Sequence, residues 1–378
     1  MATTVVTHPR AKRTAASYRP PVRRVLQLSF AGVLTSCASS PAVPLDPVED
    51  RSDPLAEVTI PPRPDWTDPY ADSNEGDMRF FDIDVLMSRH GLTRALAIEL
   101  QNHYRDVSRA DPSGTPTAWF EHALGKASAG EFEDRRDLER LDAAAFVVVF
   151  DLDETLHDQY YAPEVGAACN DFSVAADGKV RHVKLTPGWA EAIARVDALG
   201  GAVVLFSANV DTLTWTNLSQ WMLEDTPLGE HPLISGVLTN SHLVMQRKSA
   251  GAPVVEPSKD LRVIDPELQK VILVDDNPRR AFQFRNLRVF PKFDADLYCT
   301  TEQESLRRAF DAALPTVVAE IEDAAQYMRS RGVSFATAYL PYSVLGRLTV
   351  EMKMAAGMSE REAITWVREH PDVVPKAF

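Results

Sequence analysis

Residues 146–156 read FVVVFDLDETL, and this stretch decides the fold. Its first five residues are apolar and three of them are valine, which is typical of a buried strand in a parallel sheet. Residues two apart on a strand point the same way, so we expect Asp151 and Asp153 to leave its carboxyl end together. Ligands of open α/β sheets bind at that end. The pair therefore predicts acid, base or metal chemistry, and the alternative is a turn, which Asp and Thr also favour.

The residues that follow alternate between strands and helices, which predicts an α/β fold with a doubly wound parallel sheet. Further strands are expected at 200–207, 270–275 and 287–290, with helices at 189–199 and 211–223. Residues 172–183 contain Asp177-Gly178 and predict a hairpin. The short spacing between Asp151 and Ser207 indicates that no large cap is inserted there.

Five segments are predicted along the 378 residues. A leader at 1–36 is followed by a proline-rich linker at 37–77, and a helical flank at 78–145 precedes the α/β core at 146–300. A second helical region at 301–378 ends the chain. Apolar residues at steps of three and four predict the helices of both flanks.

The charge of the chain argues against a nucleic-acid partner. Forty Lys and Arg residues stand against 54 Asp and Glu residues, which gives a net charge of −14. A negative protein does not attract a phosphate backbone without local basic patches. An anionic substrate would likewise need Lys, Arg or a metal placed at the site.

The leader has the layout of an export signal. Arg23 and Arg24 precede a short apolar stretch at 25–34, which is too short to span a bilayer as a helix. The stretch ends in Leu-Thr-Ser-Cys37, which resembles a bacterial lipobox, whose cysteine carries a lipid anchor. We therefore expect a membrane-anchored protein of the bacterial cell envelope. The alternative is a tail with a chance apolar patch, which would leave the protein in the cytoplasm.

Two cysteines remain besides Cys37, namely Cys169 and Cys299. They can pair in an oxidising compartment, but two cysteines alone do not establish a disulfide. Whether they pair stays open at this point. The Cys and His spacings predict no zinc site.

Polar residues follow three of the predicted strands. Asp151 and Asp153 follow the first, Ser207 the second, and Asp275-Asp276 the third. The carboxyl ends of parallel strands meet at one edge of a sheet, so we expect these side chains to converge. A lysine is needed to complete a phosphate site, and the two candidates are Lys259, which precedes the third strand, and Lys248. The Lys-Asp-Leu text at 259–261 looks like a helix start and favours Lys259.

In this order the motifs resemble those of the haloacid dehalogenase (HAD) superfamily. They are most similar to the branch of NLI-interacting-factor-like and RNA polymerase C-terminal-domain phosphatases. The landmarks of that branch are Asp-Leu-Asp-Glu-Thr-Leu, Pro187-Gly188, Lys259-Asp-Leu and Val-Asp-Asp-Asn-Pro278. The resemblance covers residues 146 to about 300 and leaves both flanks unexplained.

The resemblance implies a role for each motif residue. Asp151 would be the nucleophile, Asp153 the general acid and base, and Ser207 and Lys259 would hold the phosphoryl oxygens. Thr155 and Asn209 would contribute to substrate binding. Mg²⁺ would be held by Asp151, by the main-chain carbonyl of Asp153, and by Asp275 or Asp276. Which of the last two aspartates contacts the metal stays open, because Asp276 stands where relatives often have Asn.

Four functions are compatible with these motifs. The resemblance implies a Mg²⁺-dependent phosphatase that acts on a phosphorylated small molecule or phosphoprotein. Transfer of the phosphoryl group to an acceptor other than water is an alternative, as is an acid phosphatase that acts on small esters, since bacterial class C lipoprotein acid phosphatases also join a lipobox to a HAD core. A non-catalytic binding protein is the alternative from another class.

Overall fold

The computed structural model describes residues 81–131, 136–160, 169–176, 178–247 and 255–375. The predicted leader, the linker, the lipidation candidate Cys37 and the alternative lysine Lys248 lie outside the described residues. Among the described helices, not one is both long and apolar enough to cross a membrane.

The described helices and strands are numbered in chain order. The helices are α1 (Ile83–His90), α2 (Arg94–Ala110), α3 (Pro116–Ala129), α4 (Leu138–Ala143), α5 (Trp189–Ala198), α6 (Asp211–Gln220), α7 (Ala295–Thr300), α8 (Glu304–Arg331), α9 (Phe335–Tyr339), α10 (Val344–Ala355) and α11 (Glu360–Glu369). The strands are β1 (Phe146–Phe150), β2 (His157–Tyr160), β3 (Phe172–Ala176), β4 (Lys179–Leu185), β5 (Gly201–Phe206), β6 (Met222–Leu223), β7 (Thr226–Pro227), β8 (Ile234–Leu238), β9 (Val244–Arg247), β10 (Val255–Ser258), β11 (Val271–Asp275) and β12 (Leu287–Val289).

The centre of the fold is a five-stranded parallel sheet in the order β12-β11-β1-β5-β8. β1 lies in the middle, and Val148 pairs with Val203 of β5 on one side and Ile272 of β11 on the other. Every residue of β1 is fully buried, because helices cover both faces of the sheet. The prediction of an α/β fold with a parallel sheet and helical flanks is confirmed.

The alternation of side chains along β1 divides the core into two layers. Val148 belongs to the layer that contains Leu314 and Ile321 of the long helix α8. Val147 and Val149 face the opposite layer, which contains Leu141 of α4. The strand can be apolar at every position because both faces need burial, and each fully buried valine contributes roughly 1.5–3 kcal/mol.

Several strands were not predicted from the sequence. β8 is the fifth strand of the sheet, and its Gly236 leaves only 3.0 Å between an added Cβ and the Arg136 side chain. A glycine there weakens the strand pattern but permits this packing. The predicted hairpin is present as β3 and β4, and β2 pairs with β4 as an additional strand. The predicted helix 211–223 ends earlier, because residues 222–223 form β6 and pair with β7.

The N-terminal flank forms a small apolar cluster of its own. Ile83 and Leu86 of α1, Leu100 of α2 and Phe120 of α3 are all buried in it. Val244 of β9 packs in the same cluster, which attaches the flank to the α/β core.

A disulfide joins Cys169 to Cys299. The two residues are 130 positions apart, so the bond ties the segment before β3 to the end of α7. The pairing that the sequence left open is therefore present in the structure.

Candidate active site

The ends of three adjacent strands bring the predicted polar residues together. Asp151 follows β1, Ser207 follows β5, and Asp275 is the last residue of β11. β1 pairs with both β5 and β11, so the three carboxyl ends lie side by side. Asp151 is 5% exposed, while Ser207 and Asp275 are fully buried. The parallel sheet places these residues at one edge, as the motif order predicted.

Lys259 completes this cluster. Its Nζ donates to Asp151 Oδ1 at 2.5 Å and to Asp275 Oδ2 at 2.7 Å. The lysine is 1% exposed, and these carboxylates compensate its buried charge. It does not begin an α-helix, since it follows β10 and precedes a short 3₁₀ turn at Leu261–Val263. The structure places the candidate Lys259 in the site, while Lys248 lies outside the described residues.

Burial and the neighbouring charges together shift the pKa values of this buried group. Burial raises the pKa of Asp151 well above its usual range, and Asp275 and Asp153 add to this effect while Lys259 opposes it. Burial alone would lower the pKa of Lys259, but Asp151 and Asp275 outweigh burial and raise it. The lysine therefore stays charged, and one ammonium does not balance the acidic side chains around it.

Asp153 lies between two donors at the end of β5. Ser207 Oγ donates to Asp153 Oδ2 at 2.9 Å, and Asn209 Nδ2 donates to Asp153 Oδ1 at 3.3 Å. The main-chain N–H of Asn209 donates to Ser207 Oγ at 2.9 Å, which orients that hydroxyl toward Asp153. The Asp153 side chain is 35% exposed. It is thus held in place while staying accessible to solvent.

Thr155 connects the first motif with the third. Its hydroxyl accepts from the Asp276 amide at 3.2 Å, and its carbonyl accepts from Thr186 Oγ1 at 2.8 Å. Thr155 is fully buried. These contacts make it a support for the loops, and the substrate-binding role predicted for it stays a prediction.

Asp276 carries a perturbed carboxyl group. Burial raises its pKa to about 7, and Asp275 and Glu154 add to this rise. Glu154 sits in the left-handed region with φ of 61°, and its carboxylate pairs with Lys292 Nζ at 2.6 Å. Glu154 and Lys292 were missed from the sequence, because neither belongs to a strand-end pair and only the folded chain brings them together.

His157 is a further residue whose position the sequence did not reveal. It opens β2, is 1% exposed, and lies edge-on to the Trp221 ring with centroids 5.4 Å apart. Its Nε2 is 3.9 Å from Asp153 Oδ1. Burial lowers its pKa although Asp153 and Asp158 act in the opposite direction, so the ring is neutral near pH 7.

The acidic residues fit a divalent cation. One carboxylate oxygen from each of Asp151, Asp275 and Asp276 lies within 4.8 Å of the others. Oxygen ligands of this kind suit Mg²⁺, which is bound through one or two carboxylates together with water and phosphate oxygens. Burial is the main cause of the raised pKa values of Asp151 and Asp276, and the neighbouring carboxylates add to it. The Asp153 side chain is outside this group, and a metal contact of its main-chain carbonyl stays a prediction.

The part of the chain that forms the parallel sheet and the buried Asp–Lys–Asp cluster matches a known family of protein domains. A family model described as NLI interacting factor-like phosphatase matches residues 146–308. The resemblance predicted from the motifs is therefore confirmed for these residues. Both helical flanks lie largely outside the match.

Two solved structures are similar to the chain at low identity. One is fission yeast RNA polymerase II CTD phosphatase Fcp1, in a variant bound to beryllium fluoride, with 13% identity, a TM-score of 0.31, and coverage of 58% of this chain and 67% of that chain. The other is Fcp1, described as an essential RNA polymerase II CTD phosphatase, with 14% identity, a TM-score of 0.32, and coverage of 62% and 66%. A search of curated proteins returned no match.

Proposed function

We propose that this protein is a Mg²⁺-dependent phosphatase that hydrolyses a phosphomonoester through an aspartyl-phosphate. The observation that carries the proposal is the contact of Lys259 Nζ with both Asp151 and Asp275 at 2.5 and 2.7 Å. In this cluster Asp151 would be the nucleophile and Lys259 the cation. The carboxylates of Asp151 and Asp275 would also be available as metal ligands.

The proposed reaction begins with attack of an Asp151 carboxylate oxygen on phosphorus. The bond from phosphorus to the leaving oxygen breaks, and Asp153 in its protonated form gives its proton to that oxygen. Asp153 then removes a proton from water, whose oxygen attacks the phosphorus of the aspartyl-phosphate. The bond from phosphorus to the Asp151 oxygen breaks, which releases inorganic phosphate and restores the Asp151 carboxylate. Ser207 and Asn209 support this role, because they hold the Asp153 carboxyl group in one orientation.

The charge on the phosphoryl oxygens needs local compensation, since the chain as a whole is negative. Lys259 supplies one fixed positive charge that needs no reorganisation during the reaction. Asp151, Asp275 or Asp276, and the main-chain carbonyl of Asp153 would hold Mg²⁺. When bound, Mg²⁺ offsets the negative charge of these carboxylates and of the phosphoryl group.

The test is phosphate release from p-nitrophenyl phosphate by the full chain, with Mg²⁺ and with a chelator. We expect Mg²⁺-dependent turnover in the wild type and a loss of at least about a thousandfold in Asp151→Asn, because the nucleophile is removed. Asp106→Asn is the matched control, since Asp106 on α2 is 70% exposed and far from this chemistry in the chain. Wild-type protein without metal-dependent turnover on any member of a panel of small esters and phosphopeptides would refute the phosphatase and leave the binding protein as the alternative.

We also propose that the protein is exported and anchored through Cys37 in a bacterial envelope. The Cys169–Cys299 disulfide supports this location, because such bonds persist in oxidising compartments. Fractionation of cells that express wild type or Cys37→Ala tests it. We expect the wild type in the membrane fraction and the variant in the soluble fraction; full-length cytosolic protein in both would overturn the export proposal.

A further inference from the structure

Helix α2 of the N-terminal flank reaches the residue that follows Lys259. Arg94, the first residue of α2, donates from Nη1 to Asp260 Oδ2 at 2.9 Å. Its Nη2 donates to Asp84 Oδ1 of α1 at 2.6 Å. Arg94 lies outside residues 146–308, so this ion pair connects the flank with the phosphatase domain across 166 positions of sequence.

Asp260 is an anchored carboxylate. Its side chain is fully buried, and Arg94 is only 12% exposed. Arg262 Nε donates to Asp260 Oδ1 at 2.9 Å, and Gln283 Nε2 donates to the same oxygen at 2.6 Å. A buried carboxylate needs such partners to offset its lost hydration, and removal of one guanidinium leaves part of its charge uncompensated.

The backbone relates this anchor to the catalytic lysine. Asp260 has φ of −98° and ψ of 107°, which is extended, so its side chain and that of Lys259 point to opposite sides. Lys259 therefore faces Asp151 and Asp275, while Asp260 faces the flank. The Lys259 amide donates to the Arg280 carbonyl at 2.7 Å, which holds the chain at this point from a second direction.

We propose that Arg94 is a positioning residue of the active site. By holding Asp260, Arg94 keeps the Lys259 ammonium between the carboxylates of Asp151 and Asp275, and the flank thereby belongs to the working phosphatase. The inference rests on the proposed function and extends it to a residue outside the family domain. Lysine cannot replace Arg94 fully, because one planar guanidinium bridges two carboxylates from separate nitrogens.

The experiment compares the full-length wild type with Arg94→Ala, Arg94→Lys and the control Arg109→Ala. Arg109 lies at the other end of α2, is 57% exposed, and pairs with Asp106 at 3.7 Å. With Mg²⁺ and p-nitrophenyl phosphate, we expect kcat to fall about tenfold or more in Arg94→Ala and less in Arg94→Lys, because a small displacement of a catalytic group has effects of this order. Inhibition by orthovanadate should weaken by a similar factor, whereas a smaller folded fraction would leave the inhibition constant unchanged.

Hydrogen–deuterium exchange of peptides that cover 256–264 provides a readout besides activity. We expect faster exchange in Arg94→Ala and wild-type exchange in Arg109→Ala. If the wild type shows no turnover, the proposed function fails, while the exchange comparison still tests the anchor. If Arg94→Ala does not fold, the kinetics and exchange of Arg94→Lys and Arg94→Gln are compared with those of the wild type and Arg109→Ala instead.

A double-mutant cycle tests the route through Asp260. In an Asp260→Asn background, we expect the further change Arg94→Ala to alter kcat and the vanadate constant by less than about twofold, because the carboxylate that Arg94 holds has been removed. Wild-type kinetics and exchange in Arg94→Ala overturn the inference. Equal losses from Arg94→Ala in both backgrounds overturn it as well.

Discussion

Ser207 Oγ donates a hydrogen bond to Asp153 Oδ2 at 2.9 Å, and so joins the ends of two neighbouring strands. The bond places the proposed general acid where the second strand ends. It also gives Ser207 a function before any substrate binds, in addition to the phosphoryl contact that the resemblance implies.

Replacement of Ser207 by alanine should therefore affect Asp153. We expect kcat for p-nitrophenyl phosphate to fall roughly tenfold to a hundredfold, because a misoriented acid transfers its proton less efficiently. Stability should fall by about 1 kcal/mol for the lost hydrogen bond. Ser219→Ala is the control, since Ser219 is exposed and donates to the Thr216 carbonyl within α6. Wild-type kcat in Ser207→Ala would contradict the orienting role.

Replacement of Lys259 by methionine should damage both activity and stability. The change leaves Asp151 and Asp275 buried without the ammonium, which is expected to cost about 3–5 kcal/mol. We expect kcat/KM to fall on the order of a hundredfold to a thousandfold. Lys179→Met is the control, because Lys179 is exposed on β4. Denaturant unfolding and steady-state kinetics measure the two effects, and an unchanged unfolding free energy would contradict the buried ion pairs.

The stability of the metal-free protein should depend on pH through Asp276. Its folded pKa is about 7 against an unfolded value near 3.8, so the folded state keeps a proton that the unfolded state loses as pH rises. By linkage, stability therefore falls between about pH 4 and pH 7. The partly exposed carboxyl is screened by solvent, and we expect about 1–2 kcal/mol.

Asp276→Asn should reduce this pH dependence, and Mg²⁺ should raise the melting temperature of the wild type most at pH 8. Thermal unfolding at pH 5 and pH 8, with and without Mg²⁺, measures both effects. Asp106→Asn serves again as the control for loss of an exposed acid. A metal-free wild type that is more stable at pH 8 than at pH 5 would contradict the assignment.

The disulfide should contribute to stability. It closes a loop of 130 residues, and bonds of this kind typically contribute about 2–4 kcal/mol. We expect Cys169→Ser, Cys299→Ser and the double variant to lose the same unfolding free energy, because each breaks the same bond. Denaturant unfolding of the oxidised proteins measures the loss, and reduction of the wild type should reproduce it. Unequal losses would indicate that the cysteines act separately.

The strands that bear the site were predicted from sequence because strands buried on both faces appear as continuous runs of apolar residues. β1 and β5 are apolar throughout, and β11 is apolar up to its last residue, Asp275, since helices cover both faces of the sheet. β2 has no apolar run, because it reads His-Asp-Gln-Tyr and its first residue, a histidine, is buried against Trp221. In the fold, this polar strand pairs with β4 and packs its first residue against the Trp221 ring.

The site was predictable to the extent that it depends on strand ends. Asp151, Ser207 and Asp275 each follow or end a recognisable strand, and parallel pairing alone brings them to one edge. The pairs Glu154–Lys292 and Arg94–Asp260 were not predictable, because their members are far apart in sequence and carry no shared pattern.

The sequence by itself determined the backbone of the core and the chemical groups at its edge, because periodicity and turn residues act locally. The tertiary structure decided which charges meet. Lys259 lies between Asp151 and Asp275, and Arg94 pairs with Asp260 from a flank outside the family match. The physical reason is desolvation, because a buried charge is stable only beside an opposite charge or hydrogen-bond partners. These partners come from distant parts of the sequence, and only the folded chain brings them together.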